Sequence, residues 1–276
     1  MKNLKWFLLV SIFFIVNPSA FAQKEKEIKV KIDEGKLYGT LLKVEDHKSA
    51  PIVLIIPGSG PTDRNGNSLM LQANSYRMLA ENLAENGISS LRYDKLMIGK
   101  SESSIEEKDL RFETNVKQVT ALIDYLSKKK FENIILLGHS EGSLIGVLAA
   151  QQRSISKFIS LAGTGRAIDE VLIQQIKEQN PNFEKEVNNI LETLKQGDKV
   201  DDFSPELASL FRKSVQPYLI SWLKYNPKDE IRKLEIPILI LHGSTDIQVT
   251  KKDALLQKEG NDEAELKIIK GMNQRN

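Results

Sequence analysis

From Pro51 onward the chain alternates short, largely apolar runs with longer stretches whose apolar residues recur at helical spacing. The runs are Ile52 to Ile56, Ile88 to Arg92, Ile134 to Leu137, Phe158 to Leu161, Ile238 to Leu241 and Leu266 to Ile269. Runs of this kind describe strands buried on both faces. Alternating with helices they describe βαβ units, a mostly parallel sheet and right-handed crossovers. Tyr76, Leu79, Ala80 and Leu83 form one helical stripe, which Gly87 ends as a residue free to adopt the left-handed conformation. Phe112, Val116, Val119, Ile123 and Leu126 form a second. Both read as faces packed on the sheet. Before Pro51 the pattern is different: Ile28, Val30 and Ile32 alternate with charged residues, and Leu37 to Val44 follows after Glu34-Gly35. That period of two around a glycine turn predicts an antiparallel hairpin at the sheet edge, with one face in water.

One segment breaks the rhythm. From about residue 166 to residue 232 the chain is far longer than a simple crossover needs, and it carries helical stripes such as Phe183, Val187, Ile190, Leu191 and Leu194, then Leu207, Leu210, Phe211, Trp222 and Leu223. An amphipathic helical insertion between two sheet strands reads as a cap over the strand ends. A peripheral decoration is the plainer alternative.

Composition narrows the class. With 276 residues, 41% hydrophobic and 28% charged, the chain suits one large α/β domain. Residues 1–22 have the layout of a secretory signal peptide. Lys2 and Lys5 form a positive start, Trp6 to Val16 an apolar stretch, and Ala20-Phe21-Ala22 a small-x-small cleavage site before Gln23. The apolar stretch is shorter than the roughly 20 residues a membrane span requires, so the expectation is an exported protein, periplasmic or secreted, with no stable membrane anchor after cleavage. Cysteine is absent, which excludes disulfides, thiolate metal ligands and a cysteine nucleophile. Removal of Lys2 and Lys5 leaves equal numbers of basic and acidic residues, so nothing suggests nucleic acid or another polyanion as partner.

The candidate chemistry lies in loops that follow strands, because ligands of open α/β sheets bind outside the carboxyl ends of the strands. Gly138-His139-Ser140-Glu141-Gly142 is a G-x-S-x-G pentapeptide between a predicted strand and a helix predicted from Ser143 to Ala150. A sharp strand-to-helix turn of this kind presents a nucleophilic serine, and the glycines let the chain pass without a Cβ clash. Ser140 is therefore the candidate nucleophile. The loop Pro57-Gly58-Ser59-Gly60-Pro61-Thr62-Asp63-Arg64-Asn65-Gly66-Asn67 follows the first buried run, and the backbone N–H groups of Ser59 and Glu141 are candidates for an oxyanion hole. As a phosphate loop it lacks the Gly-Lys-Ser/Thr ending. As a calcium loop it has Asn74 where a bidentate Glu belongs. No cofactor or metal is expected. Tyr93-Asp94-Lys95 and Ile98-Gly99-Lys100-Ser101 read as a structural loop bordering the site, with Asp94 salt-bridged.

Asp246, in the loop after Ile238 to Leu241, is the candidate acid that would hold a histidine in the right tautomer. The alternative is a cap for a helix beginning near Thr250. The base has no candidate in its place: the loop after Leu266 to Ile269 reads Lys270-Gly271-Met272-Asn273, then Gln274, and glutamine cannot shuttle a proton near neutral pH. Of the three histidines, His47 lies in a charged turn, His139 inside the elbow, and His242 directly behind a strand, packing or hydrogen-bonding beneath the site and the one conceivable substitute for the base.

These residues resemble the α/β-hydrolase superfamily, and within it the exported bacterial EstD-like esterases, near the serine aminopeptidase-like hydrolases. The resemblance runs from about Lys24 to Asn273 and rests on PGSGPTDRNGN at Pro57 to Asn67, RYDK and IGKS at Arg92 to Ser101, GHSEG at Gly138 to Gly142 and HGSTDIQV at His242 to Val249. It implies Ser140 as nucleophile, Asp246 as triad acid, and hydrolysis of small-molecule short-acyl esters through an acyl-enzyme. The sequence departs from the family twice. Leu96-Met97 stands where the family carries Arg-Gly, and the family's histidine after Met-Asn and its closing helix are missing. The expectations are a chain truncated or frame-disrupted relative to a complete esterase, one sheet face partly uncovered, and impaired activity. A peptidase or amidase acting on small peptides and a non-catalytic binding protein are the alternatives.

Overall fold

One mixed sheet organises the molecule. In the computed structural model, residues 24–44 and 50–273 are described. The predicted signal peptide, His47 and Gln274 lie outside the described residues. β1 (Lys24–Ile32) and β2 (Gly35–Lys43) form the predicted antiparallel hairpin, and β3 (Ile52–Ile56) and β4 (Ser89–Tyr93) are the first two buried runs. A two-residue β5 (Glu102–Ser103) pairs with β2. β6 (Ile134–His139), β7 (Lys157–Leu161), β8 (Ile238–Gly243) and β9 (Glu265–Ile269) complete the order β1-β2-β4-β3-β6-β7-β8-β9. β2 meets β4 antiparallel, and every later pairing is parallel.

Helices cover the two faces unequally. α1 (Ser75–Glu85) lies on one face, while α2 (Phe112–Lys128) and α3 (Glu141–Ala150) lie on the other. Successive side chains of a strand point to opposite faces. Ile52, Leu54 and Ile56 therefore join Leu136, Phe158 and Ile240 beneath α2 and α3, while Val53 and Ile55 pack against Tyr76, Ala80 and Ala84 of α1. On the α1 face, Ile135, Ile159, Leu161, Leu239 and Leu241 are only partly buried and Ile269 is exposed. α1 closes as its glycine predicts: Gly87 has φ +75°, its N–H donates to Ala84 O at 3.0 Å, and Ile88 N–H donates to Leu83 O at 2.9 Å.

The insertion between β7 and β8 is helical. It contains α4 (Ile168–Gln179), α5 (Glu184–Lys195), α6 (Ala208–Phe211), α7 (Gln216–Trp222) and α8 (Pro227–Ile231). α8 returns to the body, packing on α3 and on α9 (Lys251–Gly260). α7 seats the rest on α2: Phe112 N–H donates to Ser221 Oγ at 2.7 Å, Tyr225 OH donates to Glu113 Oε1 at 2.8 Å, and the rings of Phe112 and Trp222 stack at 5.2 Å. At its start, Arg166 is buried against Asp253 of α9, with Nη2 2.7 Å from Oδ2.

Candidate active site

Ser140 stands at the junction of β6 and α3 with φ 54° and ψ −121°, a region a side chain rarely enters. The turn holds it there because its neighbours leave no alternative path. A Cβ on Gly138 would meet Gly142 O at 2.2 Å, and one on Gly142 would meet Ile56 O at 2.4 Å. Ser140 N–H donates across to Leu161 O at 2.9 Å, and Ser143 N–H donates back to Ser140 O at 2.9 Å. The helix begins at Glu141, two residues before the position the apolar pattern suggested, because the elbow itself supplies its first turn.

The loop after β3 comes close to this elbow. A Cβ on Gly58 would lie 3.2 Å from Ser140 Cβ. Among the described residues nothing accepts a hydrogen bond from the amides of Ser59 or Glu141, and both residues line one cavity with Ser140. Asp63, Asn65 and Asn67 are turned inward on their own loop: Asp63 Oδ1 accepts from Asn65 N at 2.8 Å and Asn67 N at 2.9 Å, and Asn67 Oδ1 accepts from Asn74 N at 2.8 Å. Arg64 anchors the loop on Asp94 through N–H, Nε and Nη2, at 2.8, 3.0 and 2.7 Å. Asp94 is thus the salt-bridged residue its loop suggested.

Tyr76 ties loop and elbow together. Its hydroxyl accepts from Gly58 N–H at 3.1 Å and lies 2.8 Å from His139 Nδ1. With the amide donating to it, the hydroxyl donates to Nδ1, which places the imidazole proton on Nε2. Burial pushes the Tyr76 hydroxyl up to about 12 and the His139 imidazole down to about 4. Near neutral pH the pair is uncharged.

A second network runs behind the loop. Lys95 is buried, and its ammonium donates to Gly58 O at 2.7 Å and stands 3.9 Å from Glu141 Oε2. Burial pulls the lysine below its usual value, with the Glu141 carboxylate opposing that shift. Glu141, at the first position of α3, also accepts from Tyr218 OH at 2.5 Å, and Asn115 Nδ2 donates to the same phenol oxygen at 2.8 Å. Burial, with the Glu141 carboxylate next to it, raises the Tyr218 hydroxyl well above its usual value, so the phenol keeps its proton and donates it.

Asp246 is buried. Its Oδ1 accepts from Gln248 N at 2.9 Å and Val249 N at 3.1 Å, while Oδ2 has no partner among the described residues. It does not cap α9, because Thr250 N–H donates to Asp253 Oδ2 at 3.1 Å and fills that role. The loop with Met272 lies beside it: Thr245 Oγ1 donates to Met272 O at 2.9 Å. His242 is fully buried with Nε2 3.0 Å from Val249 O and Nδ1 without a partner among the described residues, and it lines neither of the cavities that contain Ser140.

Two cavities meet at Ser140. The larger, about 470 Å³, lies under the insertion and includes Ile168, Val171, Leu172, Leu219 and Trp222. The smaller, about 260 Å³, opens on the α1 side past Tyr76, His139 and Leu71. Another of about 260 Å³ is lined by Lys95, Leu96, Met97, Asn115 and Tyr218, so the Leu96-Met97 departure does fall on a cavity wall. Sequence reasoning missed three residues here. Tyr76 was read as packing only, although a lone hydroxyl in an apolar stripe is a signal. Lys95 was read as part of a structural loop, although a lysine directly behind a buried strand is another signal. Tyr218, deep in the insertion, gave none.

Known proteins extend this geometry. Residues 51–216, more than half of the chain, match the profile of the family described as alpha/beta hydrolase fold. Esterase EstD of Thermotoga maritima is 26% identical over 253 residues, covering 86% of this chain and 55% of that protein, so the chain spans about half the length of this curated relative. Est1E from Butyrivibrio proteoclasticus, also solved with ferulic acid bound, superposes with a TM-score of 0.61 at 23% identity over 90% of both chains. The Pyrococcus furiosus esterase gives 0.62 at 18% identity, over 92% of this chain and 84% of that one. The likeness to these solved structures is one of fold, and with the profile match it places the chain in the alpha/beta hydrolase fold family.

Proposed function

We propose that the chain is a serine hydrolase of small carboxylic esters in which Ser140 is the nucleophile, Asp246 the orienting acid, and the Ser59 and Glu141 amides the oxyanion hole. The observation that carries this reading is the meeting in one cavity of Ser140 with Ser59 and Glu141, whose amides have no acceptor among the described residues. In such a site the Ser140 oxygen attacks the ester carbonyl, the amides hold the oxygen that becomes negative, and the alcohol leaves with a proton, giving an acyl-enzyme. The bare Oδ2 of Asp246 fits an acid whose imidazole partner is missing. Among the described residues His139 Nδ1 is held by Tyr76 OH, and His242, whose Nδ1 is unpartnered, is fully buried and lines neither cavity at Ser140, so turnover by this chain is at least about 10³-fold below that of a complete triad. Relatives that are esterases favour an ester as substrate.

Hydrolysis of p-nitrophenyl acetate tests the reading. Gln274→His, which returns an imidazole to the position following Met272-Asn273, should raise turnover at least about 100-fold, and Ser140→Ala in that background should abolish the gain. Turnover indifferent to Ser140→Ala would overturn the hydrolase reading, and fast turnover without Gln274→His would overturn the missing base. Faster cleavage of aminoacyl anilides than of aryl esters would shift the reading to a peptidase. A second reading, a binding protein with a capped cavity, rests on the absence, among the described residues, of a histidine with a free acceptor nitrogen lining the cavities at Ser140. A ligand that raises the melting temperature without being turned over would support it. We also propose export on the strength of residues 1–22. A mature N-terminus at Gln23 in the periplasmic or secreted fraction is the expected outcome.

A further inference from the structure

Lys95 is a buried cation that the proposed acylation leaves without a role. Its ammonium has one close partner, the carbonyl oxygen of Gly58 at 2.7 Å, and one more distant counter-charge, Glu141 Oε2 at 3.9 Å. Burying a lysine is unfavourable unless its charge is used or compensated, and an ordinary structural salt bridge would close the gap to the carboxylate. Here the shorter contact is to the peptide oxygen.

That peptide unit is the one whose other end is Ser59 N–H. In a trans peptide the C=O and N–H point in opposite directions and share one delocalised system. A positive charge on the oxygen draws density from the nitrogen and strengthens the N–H as a donor, the cooperative effect of hydrogen bonds in series. The Ser59 amide has no acceptor among the described residues, and Ser59 lines the same cavity as Ser140. On the far side, Tyr76 OH holds Gly58 N–H at 3.1 Å, so the Gly58–Ser59 peptide is fixed at its preceding amide and at its oxygen.

We propose that Lys95 is a positioning residue for the oxyanion hole: held against Glu141, it fixes and polarises the Gly58–Ser59 peptide so that Ser59 N–H meets the developing negative oxygen as a strengthened donor. The inference rests on the reading of Ser140 as nucleophile. It assigns to Lys95 an effect on the tetrahedral state, where charge appears on the oxygen, and not on ground-state binding.

Phosphonylation of Ser140 by an alkyl fluorophosphonate is the test, since it creates a tetrahedral centre with an oxygen in the hole and can be followed by mass. Three variants separate the contributions: Lys95→Met removes charge and hydrogen bond, Lys95→Gln keeps a neutral donor, and Lys95→Arg keeps the charge. Losing one oxyanion donor outright costs about 10²–10³ in rate, so weakening one should slow labelling about 10-fold in Lys95→Met and Lys95→Gln, with Lys95→Arg retaining more of the rate than either. Binding of a non-hydrolysable amide analogue of the ester should change less than about 2-fold, as expected for a residue that acts only when charge develops. Equal labelling of wild type and a folded Lys95→Gln overturns the proposal and leaves the hydrolase reading standing. So does a parallel loss of labelling and analogue binding. Labelling no faster than in Ser140→Ala, both in wild type and in Gln274→His, overturns both; if only Gln274→His is labelled, the Lys95 variants are compared in that background. Should Lys95→Met fail to fold, by circular dichroism, Lys95→Gln and Lys95→Arg carry the comparison.

Discussion

The Tyr218 hydroxyl donates to Oε1 of Glu141 at 2.5 Å, so a helix of the insertion is bonded to the residue directly after Ser140. The contact joins positions far apart in sequence inside a buried network. It makes the seating of the insertion and the arrangement of the elbow one structural event. Tyr218→Phe keeps the ring packed on Phe112 and Trp222 but leaves Glu141 Oε1 and Asn115 Nδ2 without their partner. Leaving buried polar groups unsatisfied costs about 1–3 kcal/mol, and that loss is the expected shift in urea unfolding free energy. An unchanged midpoint with an unchanged slope would show that solvent satisfies both groups.

The elbow stores backbone strain. Ser140 at φ 54° and ψ −121° carries a Cβ where glycine would sit freely. Both Ser140→Gly and Ser140→Ala remove the hydroxyl, so the difference between them isolates the strain. Ser140→Gly should be the more stable by about 1 kcal/mol, the relief of strain exceeding the glycine's larger unfolded-state entropy. Thermal melts of the two variants at one pH decide it, and an Ala variant as stable as the Gly variant would mean that the turn relaxes.

Acid sensitivity should begin above the carboxylate range. His139, half-buried beside Tyr76, is held by desolvation at about 4 against its usual 6.5. Between those two values the unfolded chain binds a proton that the folded chain refuses, so stability is full above about pH 6.5 and falls as the pH drops toward 4. One pKa unit corresponds to about 1.4 kcal/mol, and with part of the ring open to solvent the loss over the window is on the order of 2 kcal/mol. Urea midpoints at several pH values should show this slope, and His139→Asn should flatten it. A wild type flat down to about pH 4.5 would mean that the folded chain takes up the proton as readily as the unfolded one.

What the sequence disclosed follows the range of the interactions concerned. Ile52 to Ile56 was legible to the residue because a strand buried on both faces has no polar positions. β4 is displaced by one because Ile88 N–H is taken by Leu83 O at the close of α1 and pairing of Tyr93 with Gly39 of β2 carries the strand one residue further. The two-residue β5 exists only through its pairing with β2 and has no local signal. Ser140 was visible because steric demands inside five residues dictate its glycines. Lys95 and Tyr218 were not, since their meaning comes from Gly58 and Glu141, brought to them by the folded chain.

Met97 offers the sharpest local test, because a departure from the family coincides with an unfavourable conformation. Lys95, Leu96, Met97 and Ile98 form a turn closed by Ile98 N–H donating to Lys95 O at 3.0 Å, with Met97 at the third position and φ 68°. A positive φ at that position of a turn calls for glycine, the residue the family resemblance leads one to expect there. Met97 is 37% exposed and lines an open cavity, so the burial its side chain contributes only partly offsets that strain. Met97→Gly should therefore stabilise the protein by up to about 1 kcal/mol, whereas Met97→Ala, which keeps the Cβ at fault, should not. The order Gly above Met, with Ala no better than Met, is the expected outcome of urea denaturation. If Ala gains as much as Gly, the methionine side chain and not the backbone is the source of the cost. The same turn supplies the carbonyl end of Lys95, so Met97→Gly should leave fluorophosphonate labelling of Ser140 within about 2-fold of wild type if relief comes without displacement of the ammonium.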